Sequence, residues 1–126
     1  MVGVVVVCHS ADIARGVVEI AGQMAGDEVR LEGAGGDSHG TLGTDEGRVR
    51  DAIRRADQGD GVAILADLGS AVLTIRHILE SGNGRLKLAD APVVEGAVAA
   101  AVVASMGLPL DEVVKAAEEA RDARKL

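Results

Sequence analysis

A chain of 126 residues, 48% of them hydrophobic, is long enough to bury one real core and too apolar to stay unfolded. Thirteen Lys and Arg against twenty Asp and Glu leave a net charge of −7 without a basic stripe, so nucleic acid and anionic membrane surfaces are poor partners. Phe, Tyr and Trp are absent, so no aromatic ring can stack on bases and the core must be built from Val, Ala, Ile, Leu and Met.

The first element is the apolar run Val2–Cys8, mostly β-branched and of strand length. Such runs suit a parallel strand covered on both faces. It is too short to cross a bilayer and no basic segment precedes it, so it reads as neither anchor nor leader. The only cysteine is Cys8, which excludes an internal disulfide and fits a reducing cytoplasm. A helix follows, with Ser10 or Asp12 as its cap, Ile13, Val17, Ile20 and Met24 as an apolar stripe, and Gly26 as its end. Glu28–Glu32 reads as a short second strand. Gly33 to Gly47 holds six glycines in fifteen residues and reads as a long loop, a length usually tied to function or mobility.

Thr44 or Asp45 then caps a helix to about Asp57, with Val49, Ile53 and Ala56 facing inward. Val62–Ala66 is a third strand. Asp67-Leu68-Gly69-Ser70 leads from it into a helix ending near Glu80. Arg85–Leu88 reads as a short fourth strand, and Val93–Met106 and Leu110–Arg124 as two closing helices parted by Gly107 and Pro109. There is no internal repeat and no linker. The order predicts an α/β three-layer sandwich around a central, mainly parallel sheet of four to five strands. In such sheets ligands sit beyond the C-terminal strand ends, which is where His9 and Asp67 fall.

A histidine at a strand end is often only a satisfied structural residue. A helix start just beyond His9 shifts the balance, because its unpaired N–H groups and positive dipole end suit a phosphate. Imidazole is also a competent nucleophile near neutral pH. Asp67 is either a turn aspartate or the carboxylate that orients the imidazole. Gly43, Thr44, Gly69 and Ser70 are candidate phosphoryl donors, as is Ser10, with ordinary turns and caps as the competing roles. Cys8 invites a phosphatase reading, but six residues separate it from Arg15 where that chemistry needs five, and HSADIA holds no glycine. Cys8 is therefore taken as a small apolar core residue. His39 and His77 have no metal-ligand spacing with His9 or each other, so no metal and no cofactor are expected. The mixed charge of Glu112–Lys125 reads as a solvated helix face, while the small apolar stretch AVAAAVVASMG suits close packing in a core or a dimer.

VVVVCHSADIARGV, the loop ending in GTLGT, GDGVAILADLGSA and LADAPVVEGAV stand in an order and spacing that resemble the phosphotransferase subunits of PTS-dependent dihydroxyacetone kinases (the DhaM type), whose IIA domain is similar to mannose-type enzyme IIA. The resemblance covers nearly the whole chain, which reads as a single mannose-type IIA domain over 1–126. It implies a cytoplasmic homodimer whose His9 accepts a phosphoryl group from the histidine-containing phosphocarrier protein HPr, with Asp67 as the orienting acid. It further implies transfer to ADP held on a partner kinase subunit, where the regenerated ATP phosphorylates dihydroxyacetone. The alternatives are a mannose-type IIA component serving a sugar permease and a non-catalytic α/β module binding a small anion; the missing GxGxxG after the first strand counts against the latter. The acidic balance suggests a basic docking patch on the donor, with association slowing as salt rises.

Overall fold

The computed structural model describes residues 1–82 and 84–126. Its elements run β1 (Gly3–Cys8), α1 (Ala11–Ala25), β2 (Leu31–Gly35), α2 (Glu46–Ala56), β3 (Val62–Ala66), α3 (Gly69–Glu80), β4 (Leu86–Leu88), α4 (Val93–Ser105) and α5 (Leu110–Glu119), with a final 3-10 turn at Ala120–Asp122. Among the described residues the sheet has four strands in the order β2-β1-β3-β4, every pair parallel. The expected α/β sandwich is therefore present, with an all-parallel sheet. No helix among the described residues is long and apolar enough to cross a membrane.

All six residues of β1 are buried, because the strand is central and has a helical layer on each side. Val4, Val6 and Cys8 pack with the small side chains of α1, α4 and α5; Val5 and Val7 pack with α2 and α3. Alternation along one strand thus feeds two cores, and each fully buried valine contributes about 1.5–3 kcal/mol. The strand order has a consequence for chemistry. The chain leaves β1 for β2 on one side and returns to β3 on the other, so the topological switch point lies between the C-terminal ends of β1 and β3. His9 and Asp67 are the residues that step off those two ends.

Two sequence-based expectations need correction. The second strand is Leu31–Gly35, not Glu28–Glu32, and it takes in the start of the glycine-rich stretch. Glycine disfavours strands, so the pattern hides this one; the structure shows why glycine is there. A Cβ on Gly35 would lie 2.5 Å from the Ser10 carbonyl oxygen and 2.6 Å from Ala11 Cα. The first turn of α1 crosses β2 at that point, and only a bare backbone lets it.

The stripe expected to bury α1 is the second. Ala14, Val17 and Ala21 face inward, whereas Ile13, Ile20 and Met24 are 52%, 49% and 61% exposed. The reason is the neighbours of α1: Gly33 and Gly35 beneath it, and the buried Ala97, Ala100, Ala101 and Ala104 of α4 among the same core residues. Small residues meet small residues, the layers close tightly, and the large side chains are left outside. Elsewhere the inward faces agree, as with Val49, Ile53 and Ala56 of α2. The closing helices are shorter than expected, α4 ending at Ser105 and α5 at Glu119.

Candidate functional site

His9 is fixed by its backbone before its ring is considered. Its N–H donates to Asp67 Oδ2 at 2.9 Å, and its carbonyl oxygen accepts from Gly36 N–H at 3.1 Å and Gly43 N–H at 3.0 Å. The register Val7↔Ala66 brings the two strand ends side by side, and Asp67 N–H closes on the Val7 carbonyl at 3.1 Å. Gly36 has φ of +77°, a left-handed conformation that glycine adopts without steric cost. Sequence reasoning missed this glycine; the GG pair at the end of β2 was its only signal.

The ring is then oriented from both nitrogens. Nδ1 lies 3.1 Å from Asp67 Oδ1, which also accepts from Leu68 N–H at 2.7 Å. A carboxylate oxygen accepts and does not donate, so Nδ1 carries the proton and Nε2 keeps its lone pair. The Ser70 hydroxyl sits against Nε2 and donates to that lone pair. The His9 side chain is 25% exposed and that of Asp67 14%. An imidazole held by an acid on one nitrogen and by a hydroxyl that can turn away from the other is arranged as a nucleophile.

Around this pair the remaining predicted residues divide. Ser10 caps α1, its Oγ accepting from Ile13 N–H at 3.3 Å, and Asp45 rather than Thr44 caps α2 by accepting from Arg48 N–H at 2.9 Å. Gly43 spends its N–H on the His9 carbonyl. Gly69 and Ser70 open α3, whose cap residue Leu68 supplies no side-chain hydrogen bond, leaving the first N–H groups of that helix uncapped by any side chain. Thr44 presents a different case: its hydroxyl is buried and has no hydrogen-bond partner among the described residues, a costly state for a polar group.

The glycine-rich loop is tied rather than slack. Asp37 Oδ1 accepts from His39 N–H and Thr41 N–H, both at 2.9 Å, and Asp37 N–H donates to the Thr41 carbonyl at 2.9 Å. The Thr41 hydroxyl and backbone bonds hold the Asp37 carboxyl below its ordinary range. His39 is exposed within this loop, while the ring of His77 faces Glu46 and Glu80 at 3.4 and 3.5 Å. Cys8 has no exposed surface, and burial first, then the Asp67 charge, pushes its thiol up to about 11. It stays a thiol near neutral pH, unlike a thiolate nucleophile.

The family model described as PTS system fructose IIA component matches residues 3–116. A protein of Klebsiella michiganensis named PEP-dependent dihydroxyacetone kinase, phosphoryl donor subunit DhaM, is 35% identical over 100% of this chain; the chain spans 28% of that relative's length. A phosphoryl donor subunit DhaM of PEP-dependent dihydroxyacetone kinase 2 from Listeria innocua is 37% identical over 81% of this chain and 85% of its own. Among solved structures, one of a protein of unknown function superposes with a TM-score of 0.82 at 35% identity, covering 94% of this chain and 95% of the other.

Proposed function

The chain belongs to the family of PTS system fructose IIA components, and from that premise we propose that it is a phosphohistidine carrier with His9 as the phosphorylated residue. The observation that carries the reading is the pair of bonds on one ring: Asp67 on Nδ1 and a hydroxyl on Nε2. This arrangement selects Nε2 as the attacking nitrogen. In the reaction, Nε2 attacks the phosphorus of a phosphohistidine on HPr, the N–P bond of the donor breaks, and the new bond forms in line. His9 gains positive character as the bond forms. Asp67 answers it through the Nδ1 proton without needing to take that proton away.

Ser70 must turn from Nε2 as the phosphoryl group arrives, and its hydroxyl then has a phosphoryl oxygen to bond. The uncapped start of α3 adds N–H donors and the positive end of a helix dipole. The chain passes the group on, in this reading, to ADP held on the nucleotide-binding subunit of a dihydroxyacetone kinase, and works in the cytoplasm. The relatives named as phosphoryl donor subunits of that kinase support this acceptor over a sugar permease. The test is the intact mass of the protein after incubation with enzyme I, HPr and phosphoenolpyruvate. One acid-labile phosphoryl group is expected; no added mass beside a working donor would move the function to reversible anion binding.

Thr44 belongs to the phosphoryl-binding set on the strength of its orphan hydroxyl. Thr44→Val keeps the shape and removes the unpaired group, so the resting protein should be unchanged or more stable by about 1–2 kcal/mol. If the hydroxyl bonds the phosphoryl group, the same variant should hydrolyse its phosphohistidine about tenfold faster, the loss of one hydrogen bond. Equal hydrolysis rates in the two proteins would remove Thr44 from the set.

Two copies associate as a homodimer in this proposal. The exposed Ile20 and Met24, one helical turn apart on α1, are apolar side chains that a second copy would cover. Ile20→Asp is expected to shift sedimentation from dimer to monomer. A dimer that survives the substitution would exclude this face.

A further inference from the structure

We propose that Ser70, His9 and Asp67 form a nucleophilic triad, and that the unphosphorylated chain can use it for a second reaction, acyl transfer from small activated carboxylic esters to the Ser70 hydroxyl. The contacts that such chemistry needs are in place. The Ser70 hydroxyl meets His9 Nε2, and His9 Nδ1 lies 3.1 Å from Asp67 Oδ1. The Asp67 carboxylate is itself anchored by the N–H groups of His9 and Leu68, at 2.9 and 2.7 Å. A nucleophile, a base and an acid that orients the base are recognised by this geometry, whatever fold carries them.

The fold has no other use for that hydroxyl. A serine at a helix start is commonly a cap, but Leu68 holds the cap position of α3 and no side chain closes it. Among the described residues the Ser70 hydroxyl bonds the His9 ring alone. Phosphoryl uptake does not explain its resting place either, because there it covers the nitrogen that must attack and has to move aside. For acyl transfer the same position is the productive one, with the Oγ proton already on the lone pair that will take it. Ser70 is exposed, so an ester reaches Oγ without any opening of the chain.

The start of α3 supplies what a tetrahedral intermediate requires. The first intrahelical N–H bond is that of Val72 on the Leu68 carbonyl, at 3.2 Å. The N–H groups of Gly69, Ser70 and Ala71 come before it, and no side chain caps them. Ala71 N–H directly follows the nucleophile, the position from which a serine on a strand-to-helix turn draws its oxyanion donor. Fixed backbone donors of this kind stabilise developing negative charge without having to reorganise.

In the reaction, Nε2 takes the Oγ proton as Oγ attacks the carbonyl carbon of the ester, and the carbonyl electron pair moves onto oxygen. Its return breaks the C–O bond to the alcohol, which leaves with the proton held on Nε2. Water then repeats the sequence on the acyl-serine, releasing the carboxylic acid and restoring the hydroxyl. Asp67 keeps the proton on Nδ1 throughout and answers the charge of the imidazolium. A phosphoryl group on Nε2 occupies the lone pair, so the phosphorylated chain has no base and the two reactions exclude each other at one nitrogen. Only this exclusion rests on the carrier reading of His9.

The experiment follows p-nitrophenolate release from p-nitrophenyl acetate by the wild type, Ser70→Ala, Ser70→Cys and His9→Ala. Peptide masses after an acid quench locate the acetyl group, and a thermal melt of each protein checks its fold. The wild type should carry the acetyl group on Ser70 and release p-nitrophenolate about 10²–10⁴-fold faster than Ser70→Ala or His9→Ala, the range for a positioned base. Ser70→Cys keeps a nucleophile beside the same base and should be acetylated at the substituted position. Prior phosphorylation with enzyme I, HPr and phosphoenolpyruvate should suppress acetylation of the wild type in proportion to the phosphoryl group taken up. Release that persists in Ser70→Ala would make His9 the nucleophile by itself and overturn the triad. So would a wild type no faster than His9→Ala, or acetyl groups confined to lysines and the N-terminal amine. Full acetylation of Ser70 in phosphorylated protein would remove His9 as its base, with the same result. A wild type acetylated on Ser70 that takes up no phosphoryl group would uphold the triad and overturn the carrier reading instead.

Discussion

The His9→Ala protein is expected to fold as the wild type does and to take up no phosphoryl group from phospho-HPr. The two halves of that expectation come from different atoms of one residue. What His9 gives the fold is backbone: its N–H to Asp67 and its carbonyl to Gly36 and Gly43. Alanine supplies all three. The side chain gives the fold little, being 25% exposed and, among the described residues, bonded only to Asp67 and Ser70. The Asp67 carboxylate keeps the N–H groups of His9 and Leu68 after the substitution, so no buried charge is stranded, and the stability cost should be about 1 kcal/mol. The chemistry, in contrast, has no substitute. Cys8 is buried with a raised thiol pKa, and the rings of His39 and His77 have no contact with the Asp67 carboxylate among the described bonds. Intact mass after incubation with phospho-HPr, with a thermal melt of both proteins alongside, checks both halves. Phosphoryl uptake by a folded His9→Ala protein would sink the assignment.

What the sequence made legible follows from how strongly each feature is encoded. Four consecutive valines leave little but a two-faced buried strand, so β1 and its end at His9 were plain, and so was the facing position of Asp67. The second strand was hidden because its selection is steric. Gly33 and Gly35 are there for the backbone of α1 to pass over, and a glycine chosen for close approach looks the same in a sequence as one chosen for a loop. The inward face of α1 was misread for a related reason. Hydrophobic periodicity assigns the largest residues to the core, but a helix laid on glycines and alanines buries its small side and leaves isoleucines outside.

Contacts between distant segments were the least legible. No spacing rule places the Ser70 hydroxyl on Nε2, 61 residues from His9, or sends two loop N–H groups to one carbonyl. These depend on the switch point of the sheet, which exists only once the strand order is known.

Asp67→Asn should be the more informative variant, because it removes one charge and one acceptor and changes hardly any shape. The carboxylate accepts at both oxygens: Oδ2 from His9 N–H, Oδ1 from Leu68 N–H and from His9 Nδ1–H. An amide has one accepting end. If its oxygen stays with the His9 backbone, its NH2 faces Leu68 N–H and Nδ1. The imidazole must then offer a lone pair at Nδ1 and move its proton to Nε2, which blocks the attacking nitrogen. If the amide turns over, the NH2 meets His9 N–H and two donors oppose each other at the backbone that positions the ring. Either state costs about 1–3 kcal/mol for an unpaired group, and either lowers the population of the reactive tautomer. Transfer should slow by about 10²–10⁴-fold, the range for losing the carboxylate behind a reacting histidine. Because Asp67 is only 14% exposed, KM for phospho-HPr should hold within about threefold while kcat falls. Single-turnover transfer over a range of donor concentrations separates the two constants. A fall in kcat at constant KM makes Asp67 the group that keeps Nε2 free to react. A rise in KM at constant kcat would make it a docking residue and leave the tautomer of His9 to be set by something other than this carboxylate.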